Sequence, residues 1–369
     1  MKVLVLNYEY PPIGGGGAPV SRDIAENMAA RGHDVTVVTM KYKKLPFFTL
    51  ENNVKVYRLN CLRSRKASCL PHEQFSYLIS VMHFLRRNKE LQNCDICHAH
   101  FIVPTGYAAY LINKKYGIPY ILTAHGSDVE GHNSKKYMVV IHRLIRGIWK
   151  KIVKYSKCVV SPSYYLINLM KNNYTDGNYI MIRNGVDLNF FKSCNRKYDK
   201  KREILIMGRL QRFKNVQFFL KAFSQTTHKE WHVNIVGDGP YREDLQSLVK
   251  ELNISDRVSF IGWLDHKSHE ISKYLIASSI FVSASQFENC PMGVVEAAAA
   301  GCYPLVSDIE AHREMPLSDE HYFNINSTEE LIDRLNKLMI RFPIDYKFDM
   351  ITYSLNNVVD QYEEIYIDL

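Results

Sequence analysis

Two acidic residues set the chemical question. In "SASQFENCPMGVVEAAAAGCYPLVSD", Glu288 and Glu296 stand either side of Pro291-Met292-Gly293-Val294, which reads as the opening of an alanine-rich helix that stops at Gly301. A helix N-terminus presents free backbone amides and attracts phosphate. Glu288 then lies on the loop before the helix and Glu296 within it, so both carboxylates can face one ligand, one near its phosphate end and one near a sugar. A second stretch supplies positive charge. In "ILIMGRLQRFKN" a strand runs into Gly208 and Arg209, and Lys214 follows five residues later. Cations just past the carboxyl end of a parallel strand sit where open α/β sheets bind ligands, and they suit a diphosphate, Arg as a fork and Lys as a point charge. Taken singly, Glu288 could be a surface charge and Glu296 a complement to the helix dipole. The four together read as a site.

Near the start, "EYPPIGGGGAPVSRDIAENMAARGHDVTVVT" places Gly14 to Gly17 between an apolar run and a helical pattern. Each glycine loses more backbone freedom on folding than any other residue, so the run implies either a tight turn or a loop that a ligand approaches closely. The dinucleotide fingerprint fails here. After Gly15 and Gly17 its third position is Val20, and the next strand ends in "VVTMKYKK" without an acid for a ribose. In "CDICHAH", Cys94, Cys97 and His98 have the spacing of haem attachment, and His100 could complete a zinc cluster. No second ligand pair at such spacing is found, and the alternation of Ile96, His98 and His100 fits a strand running out to a loop. The eight cysteines (61, 69, 94, 97, 158, 194, 290, 302) read as free thiols, and no metal site is expected.

The elements that must hold these residues alternate. Apolar runs of strand length lie at "VLVL", "VTVV", "DICHA", "IPYILT", "CVVS" and "YIMI", then at "ILIM", "VNIV", "VSFI", "IFVS" and "YPLVS", separated by helical spacing such as Val20, Ile24, Met28. This predicts parallel sheets covered by helices, six strands before about residue 188 and five after about residue 203, joined by the polar "SCNRKYDKKRE". A chain of 369 residues is long enough for two domains. Residues 1–195 hold 27 Lys and Arg against 12 Asp and Glu, whereas residues 196–369 hold 20 against 26. The basic clusters "KYKKLPFF", "RSRK", "FLRRNK" and "HRLIRGIWKKIVKYSK" suit an anionic partner: a membrane surface, a phosphorylated acceptor or nucleic acid. Within Tyr137 to Lys157, Val140, Leu144, Ile148 and Ile152 form one stripe that would either dock on a membrane or pack inward as core. With no basic leader and no long apolar run, a cytosolic protein is expected, reversibly placed on the inner face of a membrane.

These motifs resemble the retaining glycosyltransferases of family 4 with the GT-B fold. The likeness spans essentially the whole chain and rests on the glycine loop, "RGHDVTVVT", "HAHF", "LTAHGSD", "IRNGVDLNFF", "MGRLQRFKN", "VGDGP" and the Glu-x₇-Glu element. It implies an α/β protein of two facing Rossmann-like domains. The first, residues 1–188, would bind acceptor, the second, 189–349, a nucleotide-sugar donor, and a C-terminal helix near 350–369 would cross back to the first. Carried over, Arg209 and Lys214 neutralise the diphosphate, Glu288 contacts the transferred sugar, Glu296 holds the ribose, and the amides of Met292, Gly293 and Val294 touch the phosphates. Gly16 and Gly17 match the loop that approaches donor and acceptor. His125 matches the histidine beside the reacting sugar, while His98 and His100 are read as structural, and Asp128 as a helix cap or an acceptor contact. Asn289-Cys290 and Arg183 depart from the usual pattern and leave the choice of sugar open.

The implied activity is metal-independent hexosyl transfer from a UDP- or GDP-sugar to a lipid-linked or polysaccharide acceptor, with no cofactor, as in polysaccharide and cell-envelope biosynthesis. The alternatives are a sugar-nucleotide epimerase of the same fold and a non-catalytic nucleic-acid-binding protein, for which the Glu-x₇-Glu element would have no use.

Overall fold

The computed structural model describes residues 1–369 apart from 67, 133–135, 174–176, 195–198, 265–267, 345 and 369. Two compact units emerge, residues 1–185 with 355–369, and residues 186–354. Part of the stretch read as a linker, 195–198, lies outside the described residues.

The first unit is built on eight strands: β1 (Lys2–Leu6), β2 (Asp34–Met40), β3 (Phe48–Glu51), β4 (Val54–Leu59), β5 (Ile96–His100), β6 (Tyr120–Thr123), β7 (Val159–Ser161) and β8 (Tyr179–Met181). Their order is β3-β4-β2-β1-β5-β6-β7-β8, and every pairing is parallel except β3 with β4. Side chains alternate across β1. Leu4 and Leu6 enter a core with Tyr77, Ile112, Trp149 and Ile152, while Val3 and Val5 enter another with Ile24, Met28, Tyr362 and Tyr366. Both faces are therefore covered, which is why the strands read as continuous apolar runs.

β3 and β4 were not among the six runs seen in the sequence. "VKVYRL" alternates polar with apolar, and β3 pairs antiparallel at the sheet edge. The helix Gly17–Ala30 stops just before Gly32, whose φ of +91° suits glycine.

The second unit has six parallel strands: β9 (Lys201–Met207), β10 (His232–Val236), β11 (Val258–Gly262), β12 (Ser278–Ser283), β13 (Tyr303–Ser307) and β14 (Tyr322–Phe323), in the order β11-β10-β9-β12-β13-β14. Again the strand residues divide. Ile204 and Ile206 pack with Phe219, Phe223 and Leu335, whereas Leu205 packs with Leu275, Phe281 and Val295. Each sheet reverses its winding once, between β1 and β5 in the first and between β9 and β12 in the second. The carboxyl ends of the strands at such a reversal are the position where open α/β sheets bind ligands.

The last helix, Leu355–Ile367, belongs to the first unit. Arg31 pairs with Asp360 at 2.6 Å and Glu363 at 2.5 Å, and His33 meets Glu363 at 2.8 Å. Beneath them Tyr366 Oη lies 2.6 Å from His98 Nδ1, and Tyr362 Oη lies 3.1 Å from Thr123 Oγ1. Removing one partner of a buried hydrogen bond strands the other, at a cost of about 1–3 kcal/mol. Tyr366→Phe is therefore expected to lower unfolding stability by about that much in a urea titration with an unchanged m-value.

Candidate active site

Beside the reversal of the second sheet, the loops after β9 and β10 run against each other. Gly208 N–H donates to Val236 O at 3.0 Å, and Leu210 N–H to Asp238 O at 3.0 Å. A Cβ on Gly237 would collide with the Gly208 carbonyl, and one on Gly239 with the Leu210 carbonyl. Gly237 also has φ +132°, a region that side chains avoid. This backbone contact fixes the segment carrying Arg209, whose side chain is exposed and makes no hydrogen bond or ion pair among the described residues.

The chain then turns through Arg212–Lys214 and stops at Asn215, φ +54°. Lys214 Nζ donates to Glu288 Oε1 at 2.5 Å, and Ser285 Oγ donates to the same oxygen at 2.7 Å. The loops after β9 and β12 are joined as well by Gln286 N–H donating to Phe213 O at 2.8 Å and by stacking of Phe213 on Phe287, centroids 4.3 Å apart. Burial pushes the Glu288 carboxyl up. The Lys214 charge, the hydrogen bonds from Lys214 and Ser285 and the nearby His312 outweigh it and hold Glu288 below the usual carboxylate range. The sequence read Lys214 as the partner of Arg209; the structure ties it to Glu288.

Support for Glu288 comes from residues that sequence reasoning missed. Ser307 Oγ donates to Ser285 O at 2.6 Å. His312, fully buried, donates from Nδ1 to Ser307 O at 2.8 Å, so its Nε2 accepts from Ser283 Oγ at 3.3 Å. Burial keeps its pKa below the ordinary value, and the Glu288 charge offsets this only in part. The helix Met292–Ala299 begins beside this cluster. A Cβ at Gly293 would stand 3.3 Å from Phe281 Cζ and 3.4 Å from Met207 O, so glycine lets the helix start lie close to β9 and β12. The Met292 and Val294 amides already donate, to Cys290 O and Pro291 O, both at 2.9 Å. Glu296 sits half-buried in the second turn.

In the first unit the glycine run is pinned at its start. Glu9 Oε2 accepts from Gly15 N–H at 2.9 Å, and Gly14 N–H donates to Lys66 O at 2.9 Å. Gly14 has φ +105°. A Cβ on Gly16 would meet nothing within 4 Å, whereas one on Gly17 would lie 3.0 Å from His125 Cγ, His125 Nδ1 and Phe101 Cζ. One glycine therefore serves the turn and another the approach of His125. Nε2 of His125 is 3.1 Å from Nδ1 of His100, whose ring stacks on that of His98 with centroids 4.2 Å apart. Asp128 is buried and accepts from the amides of Ile102 at 2.7 Å and His125 at 3.1 Å, so it joins the loops after β5 and β6. Cys94 and Cys97 are buried free thiols, with burial raising the Cys94 pKa to about 11.

Residues 14–190 match the model of Glycosyltransferase Family 4, and residues 189–342 match that of Glycosyl transferases group 1. An uncharacterized glycosyltransferase of Haemophilus influenzae is 28% identical over 336 residues, 88% of this chain and 87% of that one. The UDP-Gal:alpha-D-GlcNAc-diphosphoundecaprenol alpha-1,3-galactosyltransferase of Escherichia coli is 24% identical, across 100% of this chain and 97% of its own. Among solved structures, sucrose-phosphate synthase from Thermosynechococcus elongatus superimposes with a TM-score of 0.82 at 17% identity, covering 100% of this chain and 99% of that one. Both halves of the sequence and the architecture thus agree: the chain belongs to the family 4, group 1 glycosyltransferases and has their GT-B fold.

Proposed function

We propose that this glycosyltransferase moves a sugar, with retention of anomeric configuration, from a UDP- or GDP-sugar to a hydroxyl of a lipid-linked or polysaccharide acceptor. The observation that carries this reading is the Lys214–Glu288 contact at the reversal of the second sheet, beside Arg209 and a helix N-terminus. In this reading residues 189–349 bind donor, and residues 1–188 with the last helix bind acceptor. Arg209 and Lys214 neutralise the charge that grows on the departing diphosphate, which makes a metal ion dispensable. Lys214 and Ser285 both bond Glu288 Oε1, so Oε2 is left for a sugar hydroxyl. Glu296 holds the ribose, the helix start at Met292, Gly293 and Val294 faces the phosphates, Gly16 and Gly17 admit donor and acceptor, and His125 meets the reacting sugar. The acceptor oxygen bonds to the anomeric carbon on the face from which the diphosphate leaves, and the acceptor proton passes to a phosphate oxygen of the leaving group.

The acceptor class is supported by the surface of the first unit. Of the stripe considered for the helix Lys136–Tyr155, Ile152 packs inward, whereas Val140, Leu144 and Ile148 are 58%, 78% and 42% exposed; the buried side runs through His142, Trp149, Ile152 and Val153. Arg143, Lys150, Lys151 and Lys154 are exposed on the same helix, and residues 131–175 contain no Asp or Glu. The helix Tyr107–Tyr116 packs against it and presents Lys114 and Lys115. Apolar side chains flanked by cations suit an anionic membrane, where a lipid-linked acceptor resides. No helix among the described residues is long and apolar enough to cross a membrane, so contact would be peripheral. The name of the Escherichia coli relative, with a UDP-sugar donor and a diphosphoundecaprenol acceptor, agrees with this.

Four measurements test the proposal. Arg209→Ala and Lys214→Ala should each lower kcat/KM by on the order of 10²–10³ and weaken binding of free nucleoside diphosphate; wild-type turnover in both variants rejects the diphosphate assignment. Glu288→Gln should lose transfer yet keep its affinity for nucleoside diphosphate, while Glu296→Gln should lose that affinity. Turnover of donor without any acceptor would favour an epimerase. In liposome flotation the protein should float with anionic and not with neutral lipid, and less at 1 M salt, where the Debye length falls from roughly 10 Å to about 3 Å. At about 1 kcal/mol per cation, replacing Lys150, Lys151 and Lys154 with Gln should weaken recovery by roughly 10²-fold in affinity. Equal recovery on both lipids rejects the membrane reading.

A further inference from the structure

His100 has no direct place in the chemistry proposed above, yet it is fully buried and touches His125. Its Nδ1 lies 3.1 Å from His125 Nε2, while its own Nε2 is buried without a hydrogen-bond partner among the described residues. His98, stacked on it, is satisfied at both nitrogens by Tyr366 Oη at 2.6 Å and Thr123 Oγ1 at 2.8 Å. The other edge of His125 faces the glycine loop, since a Cβ on Gly17 would lie 3.0 Å from Nδ1. Burial pushes all three imidazoles down, His98 to about 3 and His125 to about 4, so each ring carries a single proton at neutral pH.

One hydrogen must therefore be shared between His100 Nδ1 and His125 Nε2, and only two arrangements exist. If His125 donated, the single proton of His100 would sit on Nε2, an N–H buried with no acceptor, and orphaned buried N–H groups are the rarer kind. If His100 donates, its Nε2 carries only a lone pair. We propose that His100 is a positioning residue that sets the tautomer of His125: it donates its Nδ1 proton to His125 Nε2, so that His125 holds its own proton on Nδ1 and presents a hydrogen-bond donor beside Gly17. This rests on the assignment of His125 to the reacting sugar. It makes His125 a donor to a sugar or phosphate oxygen and excludes it as the base for the acceptor hydroxyl, because its lone pair is engaged by His100.

The tautomer is read directly from long-range ¹H–¹⁵N correlation spectra of the full chain labelled at histidine, with His100→Asn and His125→Asn used to assign the signals. His125 should be protonated at Nδ1 in the wild type. Protonation at Nε2 overturns the proposal. In His100→Asn the amide can still donate from the position of Nδ1, so the His125 signature and most of kcat should be kept. In His100→Ala the signature should be lost and kcat should fall on the order of 10-fold or more, with affinity for nucleoside diphosphate unchanged; wild-type kcat in that variant also overturns it. If His125→Ala transfers sugar normally while the wild-type spectrum shows the Nδ1 proton, the tautomer stands and the assignment of His125 to the sugar fails.

Discussion

The carbonyl of Gly208 occupies the space that a side chain on Gly237 would need, and the second unit's site depends on that contact. Two parallel strands, β9 and β10, end side by side, and their outgoing loops are hydrogen-bonded to one another. Arg209 is thereby presented from a segment whose backbone has no freedom to retreat. On the other side of β9 the chain of β12 departs in the opposite sense, and Lys214 crosses to Glu288 over the reversal. A side-chain ion pair at a partly buried position is modest in energy by itself. Here it is held by Ser285, Ser307, His312 and the Phe213–Phe287 stack, so the geometry of Glu288 is overdetermined.

Much of this was legible in the sequence because its signals are local. Glycine before Arg209, alanine-rich helix after Pro291, and Glu at 288 and 296 each report on the few residues around them, and a buried parallel strand announces itself as an apolar run. What was not legible depends on neighbours in the sheet. His312 reaches Ser283 and Ser307 only because β12 pairs with β13 in the register Ser283↔Val306. Likewise His100 stands opposite Thr123 across β5 and β6, which brings His125, two residues further on, to its ring. Register between strands separated by a helix is set by packing and leaves no mark at fixed spacing. The helix Lys136–Tyr155 shows the same limit differently. Its apolar arc is wider than the side the core covers, so periodicity alone could not choose which part of that arc faces inward, and Ile152 of the assigned stripe is buried with Trp149 and Val153 while Val140, Leu144 and Ile148 are exposed.

The two units treat charge in opposite ways, and this bears on what each can bind. The first half of the chain carries the basic surplus, yet the cluster at the carboxyl ends of β1, β5 and β6 is electrically quiet at its centre. His98, His100 and His125 are kept neutral by burial, and the nearby acids Glu9 and Asp128 direct their oxygens at backbone amides. A set of neutral donors and acceptors with fixed directions suits hydroxyl groups, which need orientation more than attraction. The second unit does the reverse: its net charge is acidic, but the residues at the sheet reversal include Arg209 and Lys214, and Lys214 is matched one to one by Glu288. In the proposed reading an anion arriving there would meet a cation already oriented by Glu288, and the carboxylate oxygen not bonded by Lys214 and Ser285 would take a hydroxyl that accompanies that anion. A phosphate-linked sugar is the ligand whose two ends match those two demands.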